Sequence, residues 1–131
     1  IGCATTKTDM HVEKLVTIAS PITGVPQMNF APTQMVHRAL KDLGSKSEFM
    51  TKLHSTPVDV ELLNIRAIKS SKYLIPFMGK NDGVVPVFTM KLSEAASVDF
   101  TLDHYEVVDC HEVHAAIDEF LDHENKNLIA A

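Results

Sequence analysis

Among its 131 residues the chain has no tryptophan, two cysteines and five glycines, and each scarcity excludes something. The glycines are too few and too scattered for a phosphate cradle: neither GxGxxG nor GxxxxGK occurs, so nucleotide binding has no support. Cys3 and Cys110 stand far apart with no second pair, which excludes a disulfide framework and reads as two reduced thiols. No apolar run approaches the roughly 18 residues of a membrane-spanning helix. Twelve Lys and Arg stand against seventeen Asp and Glu, a net charge of −5, and no segment concentrates the bases. Phosphate-backbone binding needs clustered cations, so nucleic acid is not an expected partner.

What remains is ordinary globular composition, 45% hydrophobic and 22% charged. A chain of this length forms one domain and buries a real core. Residues 1–12 are polar and irregular and read as a flexible lead-in, leaving 13–131 as the domain. The acidic residues gather late, from Asp103 and Glu106 through Asp109, Glu112, Asp118, Glu119 and Asp122 to Glu124. They read as a solvated acidic face.

The pattern of breakers and apolar positions predicts the elements. Glu13–Ala19 is ambiguous between a short strand and a helical turn before Pro21, Gly24 and Pro26 interrupt it. Val36, Ala39, Leu40 and Leu43 follow Pro32 at helical spacing and stop at Gly44. Ser45 and Glu48 have capping-box spacing ahead of Phe49, Met50 and Leu53, a second short helix packed on the first. Val58–Ile65 reads as a strand. Lys72–Met78 and Val84–Met90 are rich in β-formers around Gly79-Lys80-Asn81-Asp82-Gly83, which predicts a hairpin. Pro76 and Pro86 lack ladder donors and place that hairpin near an edge. Leu92–Val98 reads as one or two helical turns and Tyr105–Val108 as a short strand. Asp109 and Glu112 cap a last helix with Val113, Ala116, Ile117, Phe120 and Leu121 on one face. Asn125 and Asn127 end it, ahead of a short strand over Asn127–Ala130. The expected fold is therefore α+β: a small, mainly antiparallel sheet with a central hairpin over about 72–90, packed against two N-terminal helices and one C-terminal helix.

No motif with strong chemical meaning stands out. Cys110 and His114 lie four apart at a helix start and could share an ion, but a zinc site needs a third ligand, for which His104 is a candidate. HEVH has its histidines three apart, which removes the HExxH metalloprotease. A Cys110 nucleophile at a helix N-terminus is opposed by the adjacent Asp109 and Glu112. Ile1-Gly2-Cys3-Ala4 has the small-residue-before-Cys pattern of a lipoprotein signal tail, which would make Cys3 a lipidation site.

Two stretches resemble the N-terminal domain of the SseB family of bacterial proteins. MVHRALKDLGSKSEFMTKLHSTPVDV is similar to that family's opening helical pattern, with Ala39, Leu40, Phe49, Leu53, Ser55 and Val58 at matching places. Leu74-Ile75-Pro76, Asp82-Gly83 and Val85-Pro86-Val87-Phe88-Thr89 are similar to its PxxxxDGxxxPVFTS, with Met90 where Ser is usual. The resemblance, over about residues 30–130, implies a cytoplasmic, non-enzymatic module and carries over no catalytic residues or cofactors. The expected function is thus protein binding or regulation, with Pro76, Asp82, Gly83, Pro86, Phe88 and Thr89 as the interaction residues. Unpaired edge groups there would accept a partner strand or a second copy of the chain. Two alternatives stand beside it: a periplasm-facing, lipid-anchored accessory or immunity protein using Cys3, and a small metal- or thiol-dependent enzyme using Cys110 and His114.

Overall fold

A computed structural model describes residues 11–29, 41–57, 59–69, 79–92 and 96–129. Its centre is a three-stranded sheet of β1 (Lys14–Ile18), β2 (Glu61–Ala67) and β3 (Ala96–Phe100), in the order β1-β2-β3. Both pairings are parallel, with Val16 opposite Leu63 and Ile65 opposite Val98. The expected antiparallel sheet is therefore corrected to a parallel one, and no hairpin connects these strands.

The reason lies in the segment expected to form the second hairpin arm. Residues 72–78, with Pro76, lie outside the described residues. The other arm is not a strand: Asn81 and Pro86 form a lone bridge, and Val87–Met90 is a 3₁₀ turn. Both oxygen-to-backbone competitors are visible. Asp82 Oδ1 accepts from the N–H groups of Val84 and Val85 at 2.9 and 2.7 Å, and Thr89 donates through both N and Oγ1 to the Pro86 carbonyl. Local bonds of this kind offer the backbone an alternative to a sheet ladder. Phe88, expected to anchor the core, is 53% exposed, while Pro86 and Thr89 are fully buried.

Strand β2 is the core of the molecule because it is covered on both faces, as parallel strands generally are. Leu63, Ile65 and Ala67 join Val107, Val113, Met90 and Val85 in the buried cluster, with Val16, Ile18, Phe100, Ile117 and Phe120 packed against it. On the opposite face Asn64 is fully buried yet satisfied. Its Oδ1 accepts from Thr17 Oγ1 at 3.0 Å, and its Nδ2 donates to the Met90 carbonyl at 2.7 Å and to Ser97 Oγ at 3.3 Å. One amide thus joins all three strands to the 3₁₀ turn.

Among the described residues the helices are α1 (Glu48–Ser55), α2 (Glu106–Asp109) and α3 (His111–Ile129), besides the helical end at Lys41 and Asp42. The cap of α1 is Ser47, which accepts from Met50 N, not the expected Ser45, and Met50 rather than Phe49 is its buried residue. Of the first expected helix, residues 32–40 lie outside the described ones, while Lys41 and Asp42 are helical and the chain leaves the helix at Leu43, before Gly44. Tyr105–Val108 is helical rather than extended, and Ala96–Phe100 extended rather than helical. The latter pairs with β2 and puts Ala96, Val98 and Phe100 on the face shared with Leu63, Ile65 and Ala67. Ala96 and Val98 are exposed and only Phe100 packs against the core, which is why the segment has no clear period of two. The last helix is confirmed in place but runs to Ile129, so residues 127–129 are helical rather than extended. Lys14 ties β1 to it, donating to the Phe120 and Leu121 carbonyls at 2.8 and 3.3 Å. Among the described residues no helix is long and apolar enough to cross a membrane.

The exit of β1 depends on Gly24, with φ +75°, where an added Cβ would stand 2.5 Å from Ser45 Cα and 2.9 Å from its nitrogen. Gly24→Ala is expected to destabilise the protein by about 2–3 kcal/mol in urea titration, because both the left-handed backbone and a main-chain clash are unfavourable. Gly79→Ala, at φ +64° with nothing within 4 Å, should cost only about 1 kcal/mol.

Candidate functional site

All three strands run the same way, so their carboxyl ends open on one side, and the segments that follow them meet there. The β1 exit is clamped to the connection between β2 and β3 by Thr23, whose N and Oγ1 both donate to the Thr89 carbonyl at 3.0 and 3.2 Å. The β3 exit joins through His104, whose N–H donates to the Asp82 carbonyl at 2.8 Å. Crevices at strand carboxyl ends are where open parallel sheets bind ligands.

Two titratable groups converge there. Asp82 is fully buried, and its Oδ2 lies 2.7 Å from His104 Nδ1, whose side chain is 30% exposed. With Val84 and Val85 on Oδ1, three donors surround the carboxylate. A carboxylate only accepts, so this contact places a proton on Nδ1 and leaves the Nε2 lone pair free in the neutral ring. Nε2 has no hydrogen-bond partner among the described residues. The Tyr105 ring stands edge-on to the imidazole at 5.7 Å.

The loop that presents His104 is built from a reciprocal cap. Asp103 Oδ1 accepts from the N–H groups of Tyr105 and Glu106 at 2.9 and 2.8 Å, and Glu106 Oε2 accepts from Asp103 N at 3.0 Å. This is capping-box geometry, a carboxylate at each end satisfying the other's orphan donor. Lys69, two residues beyond β2, donates to both Glu106 oxygens at 2.7 Å. Its bond holds Glu106 below the usual carboxylate range, aided by the Asp103 N–H. The Glu106 N–H does the same for Asp103, and Glu106 raises Lys69.

The residues expected to carry function separate cleanly. Of the interaction set, Asp82 and Gly83 lie in the acid loop, with Gly83 at φ +102°. Pro86 and Thr89 are buried beneath it, Phe88 is exposed, and Pro76 lies outside the described residues, as does Cys3. The metal candidates are engaged separately: Cys110 Sγ with Glu112 Oε2 at 2.9 Å, His114 Nε2 with the Val108 carbonyl at 2.7 Å, and His104 with Asp82. No group of three or more potential ligands forms among the described residues. An open groove of about 370 Å³ lies at the other end of the sheet, between Lys14, Glu61, Leu63, Val98 and Phe120.

The Asp82–His104 pairing was missed because 22 residues separate its members. Asp82 reads locally as a turn residue, and His104 as one of seven histidines. The available signal was the placement of each beyond a separate strand, which requires the strands to be assigned first. No protein-family model, curated protein or solved structure matches this chain.

Asp82→Ala should destabilise the fold by about 2–4 kcal/mol in urea titration, since it leaves two buried N–H groups and the imidazole unpaired. A second expectation concerns pH. Both capping carboxyls are lowered, so their stabilisation is present above their unfolded pKa values and fades as pH falls through the folded ones, below about pH 4. The raised Lys69 contributes below its unfolded pKa and is lost as pH rises through its folded one, above about pH 10.5. Hydrogen-exchange protection of the Asp103 and Glu106 amides, which the clamp bonds hold, should therefore fall on either side of that window.

Proposed function

We propose that Asp82 and His104 are the acid and base of a hydrolytic nucleophile–His–Asp site of the α/β-hydrolase kind. The observation that carries the reading is the 2.7 Å contact between a fully buried carboxylate and a half-exposed imidazole, on the segments that leave adjacent parallel strands. In such sites the carboxylate fixes the imidazole tautomer and steadies the imidazolium that forms. The chain order agrees: hydrolases of this kind run nucleophile, acid, histidine, with the acid and the histidine beyond strand ends.

In the reaction this supports, His104 Nε2 takes the proton of a nucleophilic hydroxyl as its oxygen attacks an ester or amide carbonyl. The proton then passes to the leaving group, and water repeats the cycle on the acyl intermediate. Among the described residues no serine, threonine or cysteine is hydrogen-bonded to Nε2, so this reading takes the nucleophile from outside the described residues. The outer edge of β1 is the natural entry. Glu61 N donates to Glu13 O and Ala19 N to Ile65 O, so alternate residues face β2 and the main-chain groups of Lys14, Val16 and Ile18 face away from it. A further parallel strand seated there would bring its carboxyl end beside the other exits.

A non-enzymatic binding module is the second reading. It is favoured by the apolar residues exposed on and beside the same two segments: Val84, Phe88, Tyr105 and Val108.

The two separate by labelling. The protein that carries this chain, at its natural length, is treated with a fluorophosphonate, and the modified residue is mapped. A single labelled serine is expected, with the rate reduced roughly 10³- to 10⁴-fold by Asp82→Asn or His104→Ala. No labelled serine, or equal labelling in the His104 variant, overturns the hydrolytic reading in favour of the binding one.

A further inference from the structure

We propose that Glu106 is a positioning residue for His104, holding the imidazole on Asp82 through a carboxylate clamp that touches neither the ring nor the substrate face. The inference rests on the hydrolytic reading of the Asp82–His104 pair. His104 has only two described ties to the rest of the molecule beyond its ring contact with Tyr105: its N–H on the Asp82 carbonyl and its Nδ1 on the Asp82 carboxylate. Both end on the same residue. The angle at which His104 meets Asp82 is therefore decided by how its own short segment is held, and that segment, Asp103–Glu106, is the capping box.

Glu106 is the member that connects this box to the sheet. Its carboxylate takes the Asp103 N–H on one side of His104, and its own N–H reaches the Asp103 side chain. Lys69 then fastens it from the exit of β2, where Lys69 N also donates to the Leu102 carbonyl at 3.1 Å. The strand that leads to the acid is thus the strand that braces the base. Removing Glu106 frees Asp103 N and Lys69 together, and the His104 segment loses its tie to β2 through a side chain.

The clamp is exposed, with side-chain accessibilities of 48% for Lys69 and 44% for Glu106, so its contribution to global stability is small. Its local contribution is that of a helix cap, which sets how often the segment opens. A positioning role and a structural role therefore differ in what they move.

The test follows the His104 Nδ1 proton by NMR in the full-length protein with labelled histidine, alongside the thermal midpoint. Glu106→Ala should speed exchange of that proton roughly tenfold while the midpoint scarcely changes, and Glu106→Gln, which keeps an acceptor for Asp103 N, should restore most of the protection. In fluorophosphonate labelling the same variant should lower the maximal rate without weakening reagent binding. Unchanged proton exchange in Glu106→Ala overturns the proposal, as does a fall in midpoint large enough to account for the faster exchange. Failure of the wild-type protein to label bears on the hydrolytic reading alone, because the proton exchange is measured without catalysis.

Discussion

A buried carboxylate must find its donors inside the protein, and the rest of the β2–β3 side of this molecule is arranged around that demand at Asp82. Left unpaired, the group would cost several kcal/mol. Two of its donors, the N–H groups of Val84 and Val85, are local and bend the chain, and the third, His104, is distant and joins two exits. The same bonds that satisfy the charge thus prevent a hairpin and create a pair of groups suited to proton transfer. Removing the charge would relax both constraints at once.

The parallel sheet explains why such a pair can form at all. In an antiparallel meander successive connections alternate between the two ends of the sheet, whereas parallel strands return every exit to one end. Here the segments after β1, β2 and β3 are bonded to one another through Thr23, Thr89, Asp82 and His104. Beneath them Asn64 holds the strands in register from inside the sheet and takes the Met90 carbonyl as well, so the acid loop is fixed from below. The opposite end is built differently. Lys14 places its ammonium on the carbonyls of α3 and 5.2 Å over the Phe120 ring, fastening helix to strand.

Much of the local structure was legible in the residues. Spacing puts Val113, Ala116, Ile117, Phe120 and Leu121 on one face of α3; Val113, Ile117 and Phe120 do pack in the core, whereas Leu121 is 47% exposed. The Asn81-Asp82-Gly83 turn was read from chemistry, and Gly83 does adopt positive φ. The errors share a cause. Val-Val-Pro-Val-Phe-Thr-Met has the composition of a strand, but its ladder groups are claimed by Asp82 and Thr89 and by the missing donor of Pro86. Tyr105–Val108 has strand composition too, yet Asp103 and Glu106 close a helical turn around it. In both places a side-chain oxygen outcompeted propensity. The capping-box geometry expected at Asp109 and Glu112 is found six residues earlier, at Asp103 and Glu106, where it supports the candidate site, and Asp109 lies inside α2.

By itself the sequence determined a mixture of helices and strands, the C-terminal amphipathic helix, and the turn that holds Asp82. These depend on neighbours within a few residues, where periodicity and turn chemistry act. Strand direction, the pairing of Asp82 with His104 and the bracing of His104 by Lys69 through Glu106 were decided only in the tertiary structure. Their partners lie 22 to 47 residues apart. No local pattern encodes which distant donor a buried carboxylate will meet; that follows only once the strands have packed and their exits share one end of the sheet.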